Sequence, residues 1–412
     1  MKKLLAAVLV LVFAVCLFAG CDAAAPVPTA TASGTGGAAA LTDIKVGLIT
    51  LYDESSTYDL NFINAFKAAC GTLGIPESSY FIRSNIPEGP ECYDTAVELA
   101  GLGCAYIFAD SFGHEDYIIQ AAREFPEVQF CHGSGTRAHT EGLSNYHNAF
   151  ASIYEGRYLA GVAAGLKLKE MIDGGEITAD QAKIGYVGAY TYAEVISGYT
   201  SFFLGVRSIV PETTMEVTFT GSWYDETAEK EGADSLINNG CVLISQHADS
   251  IGAPAACEAA GVPNVSYNGS MVASCPNTFI VSSRINWTPY FMMSITAAAS
   301  GEPIPADWTG TLQNGSVALT AVNVRAAAAD TEEKLTEVIA ALTSGKIRVF
   351  DTNTFTVGGK RLDSYQADVD TDPYYAPDTE VISGGYFHES EYRSAPYFDL
   401  RIDGITLLDA VF

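Results

Sequence analysis

Positive charge is scarce in this chain. Its 412 residues carry 22 Lys and Arg against 49 Asp and Glu, a formal net charge of −27. Such a field repels nucleic-acid phosphates and anionic lipid, and no basic patch interrupts it. Nucleic acid is therefore excluded as a partner, and anionic ligands are disfavoured. Catalytic and metal signatures are missing too. No C-x-x-C occurs, so a zinc ribbon or a thioredoxin-like site is excluded by spacing. The histidines, His114, His132, His139, His147, His247 and His388, stand without G-x-S-x-G, H-E-x-x-H or paired-ligand spacing. No metal or cofactor is implied. Gly133-Ser134-Gly135-Thr136-Arg137-Ala138 fits G-x-G-x-x-A after a strand, but no clear helical pattern follows, so dinucleotide binding is not expected. Nothing after the first twenty or so residues is apolar enough to span a bilayer.

The start of the chain is different. Lys2 and Lys3 precede an apolar run from Leu4 to Ala19, closed by Ala19-Gly20-Cys21. A basic start, an apolar middle and small residues before a cut site make a bacterial export signal. The run is short for a spanning helix, which needs about 20 residues. Cys directly after Ala-Gly makes the signal similar to that of a lipoprotein, with Cys21 as the lipid-bearing first mature residue. An ordinary secretory signal and an uncleaved anchor are the alternatives. Residues 1–20 are thus expected to leave. Residues 21–41, rich in Ala, Pro, Thr, Ser and Gly, cannot bury a core and read as a flexible tether. Cys16 goes with the signal. Cys70, Cys92, Cys104, Cys131, Cys241, Cys257 and Cys275 are odd in number and are expected to act as small buried hydrophobes.

From Ile44 short apolar runs alternate with helical patterns. Strands are expected at 45–50, 104–109, 128–131, 183–187, 215–220, 241–245 and 264–267, and helices at 61–73, 94–102, 117–125, 152–169, 193–210, 225–238 and 253–260. Alternation of this kind implies parallel β-α-β units in an α/β fold. An internal echo supports two similar halves: Leu102-Gly103-Cys104 through Asp110-Ser111 parallels Asn239-Gly240-Cys241 through Asp249-Ser250. Ligands of such sheets sit beyond the carboxyl ends of the strands. Asp110-Ser111-Phe112 and Gln246-His247-Ala248-Asp249 are therefore expected on facing walls of one cleft. Past Asp351, Gly358-Gly359 between β-favouring residues reads as a hairpin. The apolar end at Tyr397-Phe398-Asp399-Leu400 is expected to pack on a lobe.

Several stretches, in order, resemble the basic membrane protein family of binding lipoproteins that serve ABC importers, a family that includes purine nucleoside receptors. They are Ile107 to Gly113, Glu155-Gly156-Arg157-Tyr158-Leu159-Ala160-Gly161, Lys183 to Val187, Gly221-Ser222-Trp223-Tyr224-Asp225, Gln246 to Ser250 and Ile285 to Tyr290. The resemblance implies a type I periplasmic-binding-protein fold of two doubly wound lobes with three crossing segments. It implies lobes at 42–149 with 283–320 and at 150–282 with 321–350, followed by an extension at 351–412. It also implies a purine base or nucleoside closed between the lobes, and an ABC permease with its ATPase as partners.

Carried over residue by residue, Tyr58 and Trp223 would stack the ring, with Phe62 as the alternative to Tyr58 and Trp287 as a further wall. Ser111, Phe112, Gln246, Asp249 and Asn268 are the remaining candidates for ligand contact. Glu155 and Arg157 read as scaffold and hinge support. Where many members have D-x-D to grip ribose, this chain has Asn268-Gly269-Ser270, which favours a free base over a nucleoside. A ligand-sensing lipoprotein and an exported nucleosidase are the alternative functions.

Overall fold

The computed structural model describes residues 41–369 and 376–411. The export signal, Cys21 and the tether lie outside the described residues.

In chain order the first lobe comprises β1 (Val46–Ile49), α1 (Thr57–Leu73), β2 (Tyr80–Arg83), α2 (Pro90–Gly101), β3 (Tyr106–Ala109), α3 (Glu115–Glu124), β4 (Gln129–Gly133), α4 (Ala138–Glu141) and β5 (Tyr146–Ala151). The chain then crosses to α5 (Ile153–Asp173), β6 (Lys183–Gly188), α6 (Ala193–Arg207), β7 (Thr214–Phe219), α7 (Glu226–Asn238), β8 (Leu243–His247), α8 (Gly252–Ala260), β9 (Asn264–Tyr267) and β10 (Phe279–Ile285). It returns for α9 (Thr288–Ser300) and β11 (Asp307–Gly310), then crosses a third time to β12 (Val317–Leu319) and α10 (Thr331–Thr343).

The first sheet runs β11-β5-β4-β3-β1-β2, with every neighbouring pair parallel. The second begins β12-β10-β9-β8-β6-β7, and only β12 is antiparallel. The three crossings fall after Ala151, after Ile285 and between Gly310 and Val317. The third comes earlier than the expected lobe boundary at 320. Val317 pairs with Ile285 in the second sheet, because a strand that follows a tight crossing can fold back antiparallel on the edge it meets. Helix α1 also starts four residues earlier than its apolar periodicity indicates. Ser56 caps it by accepting from the Asp59 N–H, and this places Tyr58 in the first turn.

The Glu155-to-Gly161 motif is explained by packing. A Cβ on Gly161 would lie 2.1 Å from the Phe202 carbonyl oxygen, and one on Gly205 would lie 2.2 Å from that of Tyr158. Helices α5 and α6 therefore touch backbone to backbone, which only glycine allows. The seven cysteines Cys70 to Cys275 are all buried and unpaired. Burial raises each of their thiol pKa values, that of Cys70 to about 12.

The extension is an integral part of the second lobe. Val357 and Lys360 bridge across Gly358-Gly359, both with positive φ, as in a two-residue turn. Two small ribbons follow, β13 (Gln366–Ala367) with β14 (Thr379–Glu380) and β15 (Ile382–Ser383) with β16 (Tyr386–Phe387). Finally β17 (Ile405–Leu407) joins the second sheet parallel to β7. Phe398 is buried and stacks on Phe350 with centroids 4.1 Å apart. The extension also reaches the first lobe, where the Ser394 N–H donates to Asp307 Oδ2 at 2.8 Å and the Thr309 hydroxyl donates to the Ser390 carbonyl at 3.3 Å. Phe398→Ala is expected to destabilise the protein by about 3–5 kcal/mol. A denaturation midpoint within error of wild type would show that the extension is only loosely attached.

Candidate functional site

The carboxyl ends of the two sheets face one another across a cleft. Its walls come from the β1–α1 loop (Leu51, Tyr52, Tyr58, Asp59), the ends of β3 and β4 (Ser111, Phe112, Ser134), the start of α6 (Glu194), the β7–α7 loop (Trp223) and the ends of β8 and β9 (His247, Asp249, Tyr267). The lobes meet at its rim. The Thr57 N–H donates to the Asp249 carbonyl at 3.1 Å. The Asn61 amide donates to Asn268 Oδ1 at 3.3 Å. Tyr52 lies against Tyr224 at 5.6 Å and Phe112 against Tyr192 at 5.5 Å. These contacts describe a closed arrangement, and the centre of the cleft encloses only about 20 Å³.

On the first wall, Tyr58 is held by its hydroxyl, which donates to the Asp110 carbonyl at 2.9 Å. Asp59 accepts from Ser56 Oγ at 2.5 Å and from the Tyr52 N–H at 2.8 Å. Asp110 accepts from the Leu51 N–H at 3.1 Å. Burial raises the pKa of both carboxyls, and the neighbouring Asp59 adds to the rise at Asp110, so the pair retains a proton well above the usual carboxylate range. Ser111 donates to Glu88 at 2.6 Å, which leaves its oxygen lone pairs as acceptors.

On the second wall, the Arg157 guanidinium is 1% exposed and lies 3.4 Å from the Tyr267 ring centroid. Its Nη1 donates to the Gln246 carbonyl at 2.9 Å. His247 packs on Tyr267 at 4.7 Å and reaches Glu194 at 3.4 Å. Burial pushes Glu194 up to about 7, although Arg157 opposes the rise. Burial, with Arg157 adding to the effect, holds His247 well below its ordinary value, so it is neutral. Asp249 is raised well above the carboxylate range, by burial first and then by Asp59, Glu229 and Glu194. The cleft is therefore aromatic and rich in carboxyls.

Among the sequence-derived candidates, Tyr58, Ser111, Phe112, Trp223 and Asp249 are brought to this cleft. Gln246 and Trp287 are not, and Asn268 stays at the rim. Side chains alternate along β8, so His247 faces the cleft while Gln246 turns inward and donates to the carbonyls of Ala248 and Ser250. Asn268 is buried in a left-handed backbone conformation and is engaged by Asn61 of the first lobe. Trp287 is 1% exposed, stacked at 4.3 Å on Phe62 in the core of the first lobe. Both aromatic rings therefore serve as core, and Phe62 does not replace Tyr58. Residues that pattern reading did not single out are Tyr52, Asp59, Glu194 and Tyr267. The usable signal was weak: Tyr267 ends β9 and Tyr52 follows β1 by three residues, but Glu194 and Asp59 come six and ten residues after β6 and β1, within the following helices.

The Gly133-to-Ala138 loop is also accounted for. Its Thr136 and Arg137 N–H groups donate to Glu115 Oε1 at 2.8 and 2.9 Å, so the chain's own carboxylate fills the position a phosphate would take. Among the described residues no cluster of three or more His, Cys, Asp or Glu is placed to hold a metal ion.

A family profile described as ABC transporter substrate-binding protein, PnrA-like, matches residues 88–348. The chain belongs to this Bmp family. It is 31% identical to a purine-binding protein of Brucella abortus over 270 residues, which is 65% of this chain and 72% of that one. It is 32% identical over 205 residues to a protein of Haloferax volcanii named for glucose binding in an ABC transporter, spanning 50% of this chain and 49% of that one. A solute-binding protein of Conexibacter woesei superposes with a TM-score of 0.60 at 20% identity, covering 74% of this chain and 98% of that one. The fold is thus that of the periplasmic binding proteins. The Bmp-family protein is an extracytoplasmic substrate-binding component, not an enzyme, and its partners are a small molecule and a permease. No helix among the described residues is long and apolar enough to cross a membrane.

Burial raises Glu194 and Glu229 from 4.5 to about 7 and Glu389 to about 8. In this range the native state binds more protons than the unfolded chain, so stability falls as pH rises. The melting temperature is expected to drop as pH rises from about 5 to 8, and Glu194→Gln is expected to flatten part of that slope. A wild-type profile that rises over this interval would contradict these assignments.

Proposed function

We propose that this Bmp-family protein captures a purine base or nucleoside in the interlobe cleft and delivers it to an ABC permease, while a lipid on Cys21 tethers it to the membrane. The observation that carries the reading is that Tyr58 from one lobe and Trp223 from the other line the same cleft together with the buried carboxyls Asp59 and Asp249. Flat aromatic faces suit a neutral heterocycle, and stacking a base on one contributes ~1–3 kcal/mol. Asp249 and Ser111 would read the polar edge, and Asp59 joins them as a further acceptor for ring N–H and exocyclic amine groups. The carboxyl-rich walls work against anionic ligands, in keeping with the charge of the whole chain. The relative named for purine binding supports the same ligand class, since it aligns over 72% of its length. Asn268 and Gln246 support the walls, and Trp287 anchors the first lobe behind Tyr58.

The mechanism is lobe closure about the three crossings. Ligand contacts made from both walls at once are available only in the closed state, so binding shifts the open–closed equilibrium.

A thermal-shift series with adenine, guanine, hypoxanthine, their ribonucleosides and glucose tests the ligand. At 100 times its dissociation constant a ligand adds about 2.7 kcal/mol of stability. A shift with purines is expected; a shift with glucose alone, or with none of these, would sink the reading. Trp223→Ala is expected to weaken purine binding roughly 10-fold or more while leaving the unliganded melting temperature close to wild type.

The anchor is tested separately, because it rests on residues far from the cleft. In cells fed a labelled fatty acid, the wild-type protein is expected to carry label and Cys21→Ser to lose it. Label retained by Cys21→Ser would remove Cys21 as the lipid site.

A further inference from the structure

Beside the narrow centre of the cleft lies a chamber of about 490 Å³. The two share Phe112, Ser134, Glu194 and Trp223. What closes the chamber is the C-terminal extension, through Gln366, Asp368, Arg393, Asp399 and their neighbours. The family match ends at residue 348, so this wall lies outside it.

The wall is fixed on both sides. Its Ser394 N–H donates to Asp307 on β11, and the Val411 carbonyl accepts from the Thr191 N–H at 2.7 Å. Thr191 itself lines the chamber, next to Tyr192. Tyr192 packs on Phe112 across the lobes and lies 6.1 Å from Trp223, so an aromatic surface runs from the cleft into the chamber.

We infer that the extension builds a second compartment of the binding site, which takes an uncharged, hydroxyl-bearing substituent of the ligand, of the glycosyl class. The inference rests on the purine reading and deepens it. The lining chemistry sets the class. Glu194 and Asp399 offer carboxyl oxygens and Thr136 and Thr191 hydroxyls, while the Gln366 amide, whose N–H is given to Glu380 at 3.1 Å, keeps its carbonyl oxygen. Hydroxyl groups donate to carboxylates, and the C–H faces of a sugar ring lie against aromatic rings. With Asp368, three carboxyls against the Arg393 guanidinium oppose a phosphate. Asp399 already accepts from the Tyr365 hydroxyl at 2.6 Å, which orients its carboxylate and leaves lone pairs for a second donor. With the lobes parted, a free base needs only the cleft, whereas a nucleoside uses both compartments. Ribose recognition through the chamber would also make the absent D-x-D at Asn268-Gly269-Ser270 dispensable.

Calorimetric titration of the wild type and two variants with adenine and adenosine, guanine and guanosine, and hypoxanthine and inosine tests this. Gln366→Trp fills the chamber from its exposed rim, and Asp399→Ala removes an acceptor. For the wild type, nucleosides are expected to bind more tightly than the matching bases. In each variant nucleoside affinity is expected to fall about 10-fold or more, with base affinity held within about threefold. Equal losses for base and nucleoside, or nucleoside affinity unchanged in both variants, would overturn the chamber and leave the purine reading standing. Failure of the wild type to bind any purine would remove both. Unliganded melting temperatures confirm that each variant is folded.

Discussion

The second wall of the cleft depends on one buried cation. Arg157 leaves α5 on its second turn after the crossing and lies over the Tyr267 ring, with one nitrogen tied to the Gln246 carbonyl. Its Nε and Nη2 have no protein partner among the described residues. A buried guanidinium so sparsely hydrogen-bonded would be costly alone. It is tolerated because Glu194 and Asp249 stand close enough for it to oppose the rise in their pKa. It also suppresses protonation of His247, which stays neutral beside Glu194. One side chain thus packs on the Tyr267 ring, adds to the burial that keeps His247 neutral and opposes the rise in the carboxyl pKa values of the wall. One turn further along the same helix, Gly161 lets α5 lie backbone to backbone on α6. The run from Glu155 to Gly161 therefore reads as a single device: a crossing support, a cation under the cleft and a close helix contact.

The extension changes how lobe closure is to be pictured. In a two-lobed protein joined only by crossings, both sides of the cleft are free to open. Here the chain after residue 350 buries Phe398 in the second lobe, adds β17 to its sheet and then hydrogen-bonds to β11 of the first. Among the described residues, Ser390 and Ser394 reach the first lobe through polar contacts, whereas the attachment to the second is apolar and extensive. Polar contacts at a partly exposed edge exchange readily with water, so that side is the one able to slide during opening. Under the proposed lobe closure, the extension would travel with the second lobe and act as a side wall.

Much of the fold was legible in the sequence because the strands are short apolar runs between helices, and parallel sheets favour that pattern. The facing-wall expectation for Asp110-Ser111-Phe112 and Gln246-His247-Ala248-Asp249 needed only the rule about strand carboxyl ends, and of these Ser111, Phe112, His247 and Asp249 line the cleft. Legibility stopped at side-chain direction. Gln246 and His247 are adjacent, and which one faces the cleft depends on strand register, which a single sequence does not fix. Trp287 follows a crossing segment, where an exposed wall and a core anchor look alike in sequence; packing against Phe62 and Phe150 decides. Glu194 was hidden because its role depends on His247 and Arg157, which are distant in sequence. The start of α1 was missed because Ser56 and Asp59 resemble a turn until the cap is seen.

The acidity of the cleft bears on how ligand controls closure. Bringing the walls together removes water from Asp59, Asp249 and Glu194, whose pKa values all rise with burial. For the closed form without ligand this is a cost, because each carboxyl must either stay charged in a poor environment or take up a proton. A ligand that donates hydrogen bonds offsets the cost only when both walls reach it. The rim contacts, such as Thr57 to Asp249 and Asn61 to Asn268, are too few to do so alone. Under the proposed function, the same carboxyls that penalise empty closure would make closure conditional on a donor-rich, uncharged ligand. Selectivity and gating then arise from one set of groups.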